Sequence, residues 1–254
     1  MKKAICSNVK QAIYNRGFLI GVLGVILTLL FSSAQDIIGA FRSTEPLQNG
    51  FHDHLIMTAL ASDAMALALP ILCALPYTAS FVDDIKSGYI KLYLHRSGVK
   101  PYITGKLVAC ALSGGLVLLL GILLAYGISA LIFTPMELAL AAGEIAQPYF
   151  AQLLLKCATL FFSGAFWSLA GFTFAALTQS KYMAYASPFI LYYVLIILHE
   201  RYFKDFYVLY PKEWLFPSEA WTLGGFGVIL LLMILSVVMG LWFTLAAERR
   251  LGNV

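Results

Sequence analysis

The chain has 254 residues, of which 61% are hydrophobic and only 12% charged, with a formal net charge of +4. A soluble domain is nearer half apolar and one-quarter charged, so these charges are too few to solvate a surface of this size, and lipid must cover much of it. The positive excess is therefore read by its position along the chain, not as the mark of a nucleic-acid partner.

The N-terminal residues 1–16 carry Ile5, Val9, Ala12 and Ile13 at helical spacing, with lysines on other faces. This predicts a short amphipathic helix lying on a membrane surface. An apolar run follows from Gly17. Ser32-Ser33-Ala34 is small enough for a cleavage site, but the polar lead with Lys10 and Arg16 and the many later spans favour a retained anchor over a signal peptide.

Stretches without Asp, Glu, Lys or Arg run over Gly17–Ala34, Ala64–Val82 (with a start nearer Ile56 possible in length), Leu107–Met136, Cys157–Ser180, Tyr182–Leu198 and Ala220–Ala247. Each is near the roughly 20 residues a helix needs to cross the hydrocarbon core. The fold class is thus an all-α integral membrane protein of about six transmembrane helices, forming one domain over residues 1–254. Pro70, Pro76 and Pro188 predict kinks in helices two and five. Ser113-Gly114-Gly115, Gly121, Gly127, Ser163-Gly164 and Gly171 predict close approach of helices three and four to neighbours. Residues 199–225 interleave Tyr202, Phe203, Phe206, Tyr207, Tyr210, Trp214, Phe216 and Trp221 with charges. Such aromatics settle at the membrane interface, and a short interfacial or re-entrant helical pair is expected there.

Basic residues accumulate on the cytoplasmic side of membrane proteins. With the N-terminus inside, Lys2, Lys3, Lys10, Arg16, Lys86, Lys91, Arg96, Lys100, Lys106, Lys181, Arg249 and Arg250 face the cytoplasm. Only Arg42, Arg201, Lys204 and Lys212 fall outside, and Lys156 sits at a helix end. Both termini are then cytoplasmic, and a bacterial cell membrane is the expected location.

Little in the sequence reads as enzyme chemistry. Gly98, Gly105 and Lys106 have the wrong spacing for a phosphate-binding loop, and Leu107 stands where its hydroxyl should be. Neither H-E-x-x-H nor G-x-S-x-G occurs, and Ser113 and Ser163 precede glycine without a hydrolase context. His52-Asp53-His54 is read as plain outer loop, because i and i+2 point apart on a helix and no third histidine is near. Cys6, Cys73, Cys110 and Cys157 are scattered and give neither a disulfide framework nor a metal knuckle; they are expected to be small buried residues. Asp63 and Lys156 are the charges nearest a span. Either each marks the interface, with Lys156 snorkelling, or they pair across helices two and four.

The most informative segment is the loop over residues 83–106. Asp83 and Asp84 open it, as suits a helix N-terminus. Ile85, Tyr89, Leu92 and Tyr93 share a helical face, with Lys86 and Lys91 elsewhere on the cylinder. Gly98 interrupts before a second basic cluster with Lys100 and Lys106. A short amphipathic helix followed by a turn is expected.

This pattern, an acidic residue, three residues, Ser87-Gly88, then Ile90-Lys91, a glycine-containing turn with Arg96 and Gly105-Lys106-Leu107 opening a helix, resembles the membrane subunits of type 2 ABC exporters (ABC-2 permeases). The layout of about six helices, an inner amphipathic helix and an aromatic region before the last helix is similar too. Lys100-Pro101 stands where that family often has Ser-Arg, and Asp replaces its common Glu. The resemblance implies a permease that moves an amphipathic or apolar cargo, such as an antimicrobial peptide or drug. It implies a separate ATPase subunit carrying ATP and Mg, with no cofactor on this chain, and a second permease copy, identical or paralogous. Asp83, Asp84, Lys86, Gly88, Tyr89, Lys91, Tyr93, Arg96, Lys100 and Lys106 would form the ATPase-coupling segment, and Tyr210, Trp214, Phe216 and Trp221 an outer gate. The alternatives are a secondary transporter, which typically shows midplane ionisable pairs and inverted repeats, and an intramembrane enzyme.

Overall fold

The computed structural model describes residues 2–43, 46–90, 94, 98–138, 149–219, 221 and 223–251. The described elements are α1 (Lys2–Ile13), α2 (Arg16–Ser32), α3 (Ala34–Arg42), α4 (Phe51–Ala61), α5 (Asp63–Leu72), α6 (Ser80–Lys86), α7 (Val99–Phe133), α8 (Tyr149–Thr178), α9 (Lys181–Arg201), α10 (Pro211–Leu215) and α11 (Gly224–Leu251). Short 3-10 turns follow α7 and precede α10. Among the described residues the only extended pairing is one bridge between Leu47 and Glu137.

Four helices, α7, α8, α9 and α11, are long and apolar enough to cross a membrane. Two bent pairs, α1 with α2 at 52° and α4 with α5 at 70°, raise the number to as many as six if each pair counts as one span. Leu19, Leu23, Leu27 and Phe31 on α2, Ile190, Val194 and Ile197 on α9, and Leu230, Ile234, Val237 and Leu241 on α11 are all exposed. Apolar faces of this extent, on helices long enough to span, suit lipid surroundings. The architecture is that of an all-α, multi-pass membrane protein.

The core is built around α8, which packs on both α7 and α11. Two glycines set the α7–α8 distance. A Cβ on Gly114 would lie 2.4 Å from the Ser168 Cβ and 2.7 Å from the Gly164 carbonyl oxygen, and one on Gly164 would lie 2.6 Å from the Gly114 oxygen. In lipid there is no hydrophobic drive between helices, so van der Waals contact through small residues holds them. The Ser168 hydroxyl donates to the Cys110 carbonyl at 3.0 Å across the same seam.

The second apolar stretch departs from expectation. Ala64–Val82 is not one kinked helix: α5 ends at Leu72, turns occupy residues 73–79, and a new helix starts at Ser80. Pro76 has no N–H for a helical bond and disfavours the α conformation in Leu75 before it. Asn15 donates to the Pro76 carbonyl at 2.8 Å, which gives a partner to an acceptor in the broken stretch. The helix is also broken ahead of this stretch, at Ser62, whose hydroxyl caps α5 by accepting from the Met65 N–H at 3.2 Å. His52-Asp53-His54 is helical, inside α4, and not a plain outer loop. α3 had no counterpart in the sequence reading.

Candidate functional site

Residues 83–90 and 98–106 lie at the end of the bundle that also holds α1. Asp83 and Asp84 belong to α6, which packs on α8. The helix stops at Lys86, because Ser87 leads into Gly88 at φ +71°, a left-handed conformation that costs a residue with a Cβ roughly 1–2 kcal/mol. Ile85 and Tyr89 therefore do not share one helical face, a correction to the expected amphipathic helix. Ile90 is buried, whereas Lys86, Ser87, Gly88 and Tyr89 form an exposed tip, with Tyr89 51% exposed. Lys91, Tyr93 and Arg96 lie outside the described residues. Gly98 at φ +76° opens α7, which runs on through Lys100 and Lys106 without a loop between them. Pro101 is tolerated because it sits in the first turn of α7, where N–H groups have no partner inside the helix.

The tip rests on a buried polar network. Lys106 is 2% exposed and its Nζ lies 2.8 Å from Asp84 Oδ2. The Tyr102 hydroxyl donates to the same oxygen at 2.7 Å. The ammonium also sits 4.7 Å from the centre of the Tyr77 ring, a favourable cation–π placement. The Tyr77 hydroxyl in turn reaches Asn8 Oδ1 at 3.0 Å and Gln11 Oε1 at 3.1 Å. One chain of contacts thus ties α6, α7, the 73–79 turns and α1. α1 is held close: a Cβ on Gly105 would meet Asn8 Nδ2 at 2.7 Å. On the outside of α6, Asp83 pairs with Lys181 at the start of α9, both about half exposed. Between α1 and the tip lies an open cleft of about 830 Å³, lined among others by Asn8, Gln11, Asp84, Lys86, Tyr89 and Lys106.

At the opposite end, α10 is wedged against α8 and α9. Trp214 is 3% exposed, stacks near Phe166 and Trp167, and its Nε1 donates to the Val208 carbonyl at 2.9 Å. Tyr210 stacks on His199 at 4.4 Å, and Trp221 meets Tyr207 edge-on at 5.2 Å. The aromatic region is therefore an anchored cap built on a 3-10 turn and the single turn of α10. The Asp63–Lys156 pair is not formed. α10 interposes nearer partners: Lys212 Nζ bonds Asp63 Oδ1 at 2.9 Å, while Lys156 donates to the Leu215 carbonyl and lies 3.7 Å from the centre of the Phe216 ring.

A second polar cluster at this end was not foreseen. Glu137 accepts from the backbone N–H groups of Gly50 at 3.1 Å and His52 at 2.9 Å, and lies 2.7 Å from His52 Nδ1. It thereby caps the N-terminus of α4 from another loop. Burial acts to raise the Glu137 carboxyl, but these bonds and the neighbouring imidazole outweigh it and hold it below its ordinary value. Tyr126 completes the cluster by donating to Asp53 at 3.0 Å. Among the described residues no set of His, Cys, Asp and Glu side chains is arranged to hold a metal ion. Cys73, Cys110 and Cys157 are buried as expected, but Cys6 is exposed.

No protein-family model matches the chain, and no curated protein matches it.

Proposed function

We propose that the chain is the membrane subunit of an ATP-driven exporter of the ABC-2 type, working with a separate ATPase subunit and a second permease copy. The observation that carries this reading is the exposed tip Lys86–Tyr89 seated on the buried Asp84–Lys106 pair. A loop that only sets topology has no need of a largely buried ion pair beneath it, since such a pair is a weak source of stability and a stronger source of fixed geometry. A tip that receives force from a partner does need such a mount.

In this reading the α1 end faces the cytoplasm, as the basic residues around it favour, and the ATPase docks on the tip. Closure of the ATPase pair on ATP pushes the α6–α7 hairpin. The network through Lys106, Tyr77 and Asn8 passes that displacement to α1 and to the broken stretch at residues 73–79, a ready place for bending. Bistable movement of this kind needs only differential partner contact between two states. The aromatic cap around α10 gates the far side. The few charges near the spans favour an amphipathic or apolar cargo.

The test is reconstitution with an ABC ATPase encoded beside this chain. ATP hydrolysis in liposomes should rise when the permease is present, and sealed cells of a Cys6→Ser background should label Gln48→Cys and Lys212→Cys but not Ser87→Cys with an impermeant thiol reagent. Absence of any effect on hydrolysis, or labelling of Ser87→Cys from outside, would contradict the reading.

A further inference from the structure

Beside the α1 end, a cleft of about 330 Å³ opens between the C-terminal ends of α8 and α11, lined by Leu177, Trp242, Leu245, Ala246, Arg249 and Arg250. Its composition is divided. One wall is apolar and continues into the exposed face of α11, where Val238, Leu241, Trp242 and Leu245 are all exposed. The other wall is two guanidinium groups, and among the described residues no carboxylate lines the cleft.

The two arginines differ in what they already do. Arg250 donates through Nη2 to the Leu177 carbonyl at 3.1 Å. That bond satisfies one of the last carbonyls of α8 and places the positive charge at the negative end of its dipole. Its remaining N–H donors stay available. Arg249 forms no ion pair with any described residue, although Glu248 is its chain neighbour. Trp242 is steadied by Phe174, ring centres 6.2 Å apart, and keeps an exposed face at the level where indoles favour the border between hydrocarbon and headgroups.

We propose that this cleft binds an anionic phospholipid, with Arg249 and Arg250 on the headgroup phosphate and Trp242 and Leu245 along the start of an acyl chain. Guanidinium is the side chain suited to it, because its planar fork meets two phosphate oxygens at once. The apolar wall distinguishes a lipid from a free anion: phosphate alone would leave Trp242 and Leu245 uncovered. A headgroup with its own net negative charge is favoured over a zwitterionic one, since two cations face it and, among the described residues, no carboxylate lines the cleft to balance a choline. The site stands on the α8–α11 geometry and does not depend on the transport reading above.

Native mass spectrometry of the purified full chain tests it, with phosphatidylglycerol, phosphatidylcholine or inorganic phosphate added in detergent. Wild type should retain phosphatidylglycerol, retain phosphatidylcholine far less, and lose no lipid to millimolar phosphate. Arg249→Gln leaves the Arg250 cap of α8 intact, so the fold is preserved; it should weaken retention about fivefold, and Arg249→Gln with Arg250→Gln about thirtyfold, from roughly 1 kcal/mol per basic group near a membrane surface. Lys10→Gln, which removes a charge from the same end, should change nothing. Equal retention of the two lipids, equal loss in the Lys10→Gln protein, unchanged retention in Arg249→Gln, or displacement by phosphate would each overturn the proposal.

Discussion

Lys106 and Asp84 form an ion pair, 2.8 Å from Nζ to Oδ2, at a depth where the lysine is 2% exposed. The two residues lie on either side of the tip and close it at its base. Removing one partner leaves the other charged in a poor solvent, which costs about 3–5 kcal/mol, whereas replacing both by apolar groups of similar volume is often neutral. Asp84→Asn and Lys106→Met should each lower the melting temperature sharply in detergent. The double variant Asp84→Leu with Lys106→Met should recover much of the loss. Additive losses in the double variant would show that the pair is not the unit that holds the hairpin.

The α7–α8 seam gives a second prediction. Gly114→Val and Gly164→Val place atoms where the partner backbone already stands, so the helices must part or the fold must shift; a loss of about 1–3 kcal/mol or more is expected from overpacking. Gly127 is the control, since a Cβ there meets nothing within 4 Å. Gly127→Ala should be neutral or stabilising by up to about 1 kcal/mol, because Ala is the better helix former. Thermal unfolding of the three variants compares them directly.

Glu137 gives a pH dependence whose sign is fixed. Burial pushes its carboxyl up, but the His52 and Gly50 bonds win and lower it. A carboxylate lowered on folding contributes stability that is fully present above its unfolded value, about 4.3, and is lost as pH falls through the lowered folded value. The stability difference between wild type and Glu137→Gln should therefore not shrink between neutral pH and about 5 and should be lost only in stronger acid. A difference that shrinks between pH 7 and pH 5 would contradict the capping role.

At the α10 end, the Asp63–Lys212 bond is solvent-exposed, with the Asp63 side chain 82% exposed. Such pairs contribute about 0–1 kcal/mol. Asp63→Asn should barely alter stability, and a double-mutant cycle should show weak coupling of Asp63 to Lys212 and none to Lys156. Coupling above about 1.5 kcal/mol between Asp63 and Lys156 would contradict the observed geometry.

Much of the helical plan was legible because lipid makes long uncharged runs a strong signal: α7, α8, α9 and α11 correspond to four of the stretches marked in the sequence. The break at residues 73–79 was not, since Pro70 and Pro76 announce a disturbance without saying whether the helix bends or stops. Pro70 is accommodated inside α5 while Pro76 falls in the interruption, where Asn15 of another element bonds its carbonyl. The site shows the same division. Gly98 was visible as an interruption, but Gly88 was not, because the apolar spacing from Ile85 to Tyr93 runs straight through it as if one helix continued. The Asp84–Lys106 pair was not, because nothing local says that residues 22 positions apart meet behind a hairpin. Pairing Asp63 with Lys156 failed for the converse reason: similar depth in two helices says nothing of α10 lying between them. The Glu137 cap of α4 depends wholly on which loops meet, and Glu137 directly after Thr134-Pro135-Met136 offered only the hint of a carboxylate at a helix end.

The central claim is that the tip at Lys86–Tyr89 docks on an ATPase, and co-purification tests it most directly. The permease is expressed with an ABC ATPase encoded beside it, as wild type, Ser87→Trp and Tyr89→Ala. Both changes lie at the exposed tip and leave Asp84, Lys106 and Gly88 themselves in place, and a melting temperature equal to that of wild type is the control that the fold is kept. Anchoring aromatics at interfaces often cost about 2 kcal/mol or more when truncated, roughly thirtyfold in affinity. The account predicts a stable complex for wild type and its loss, by at least tenfold, in both variants with unchanged melting temperature. Undiminished complex in both variants would contradict docking through this tip and remove the main support for an ABC-2 permease.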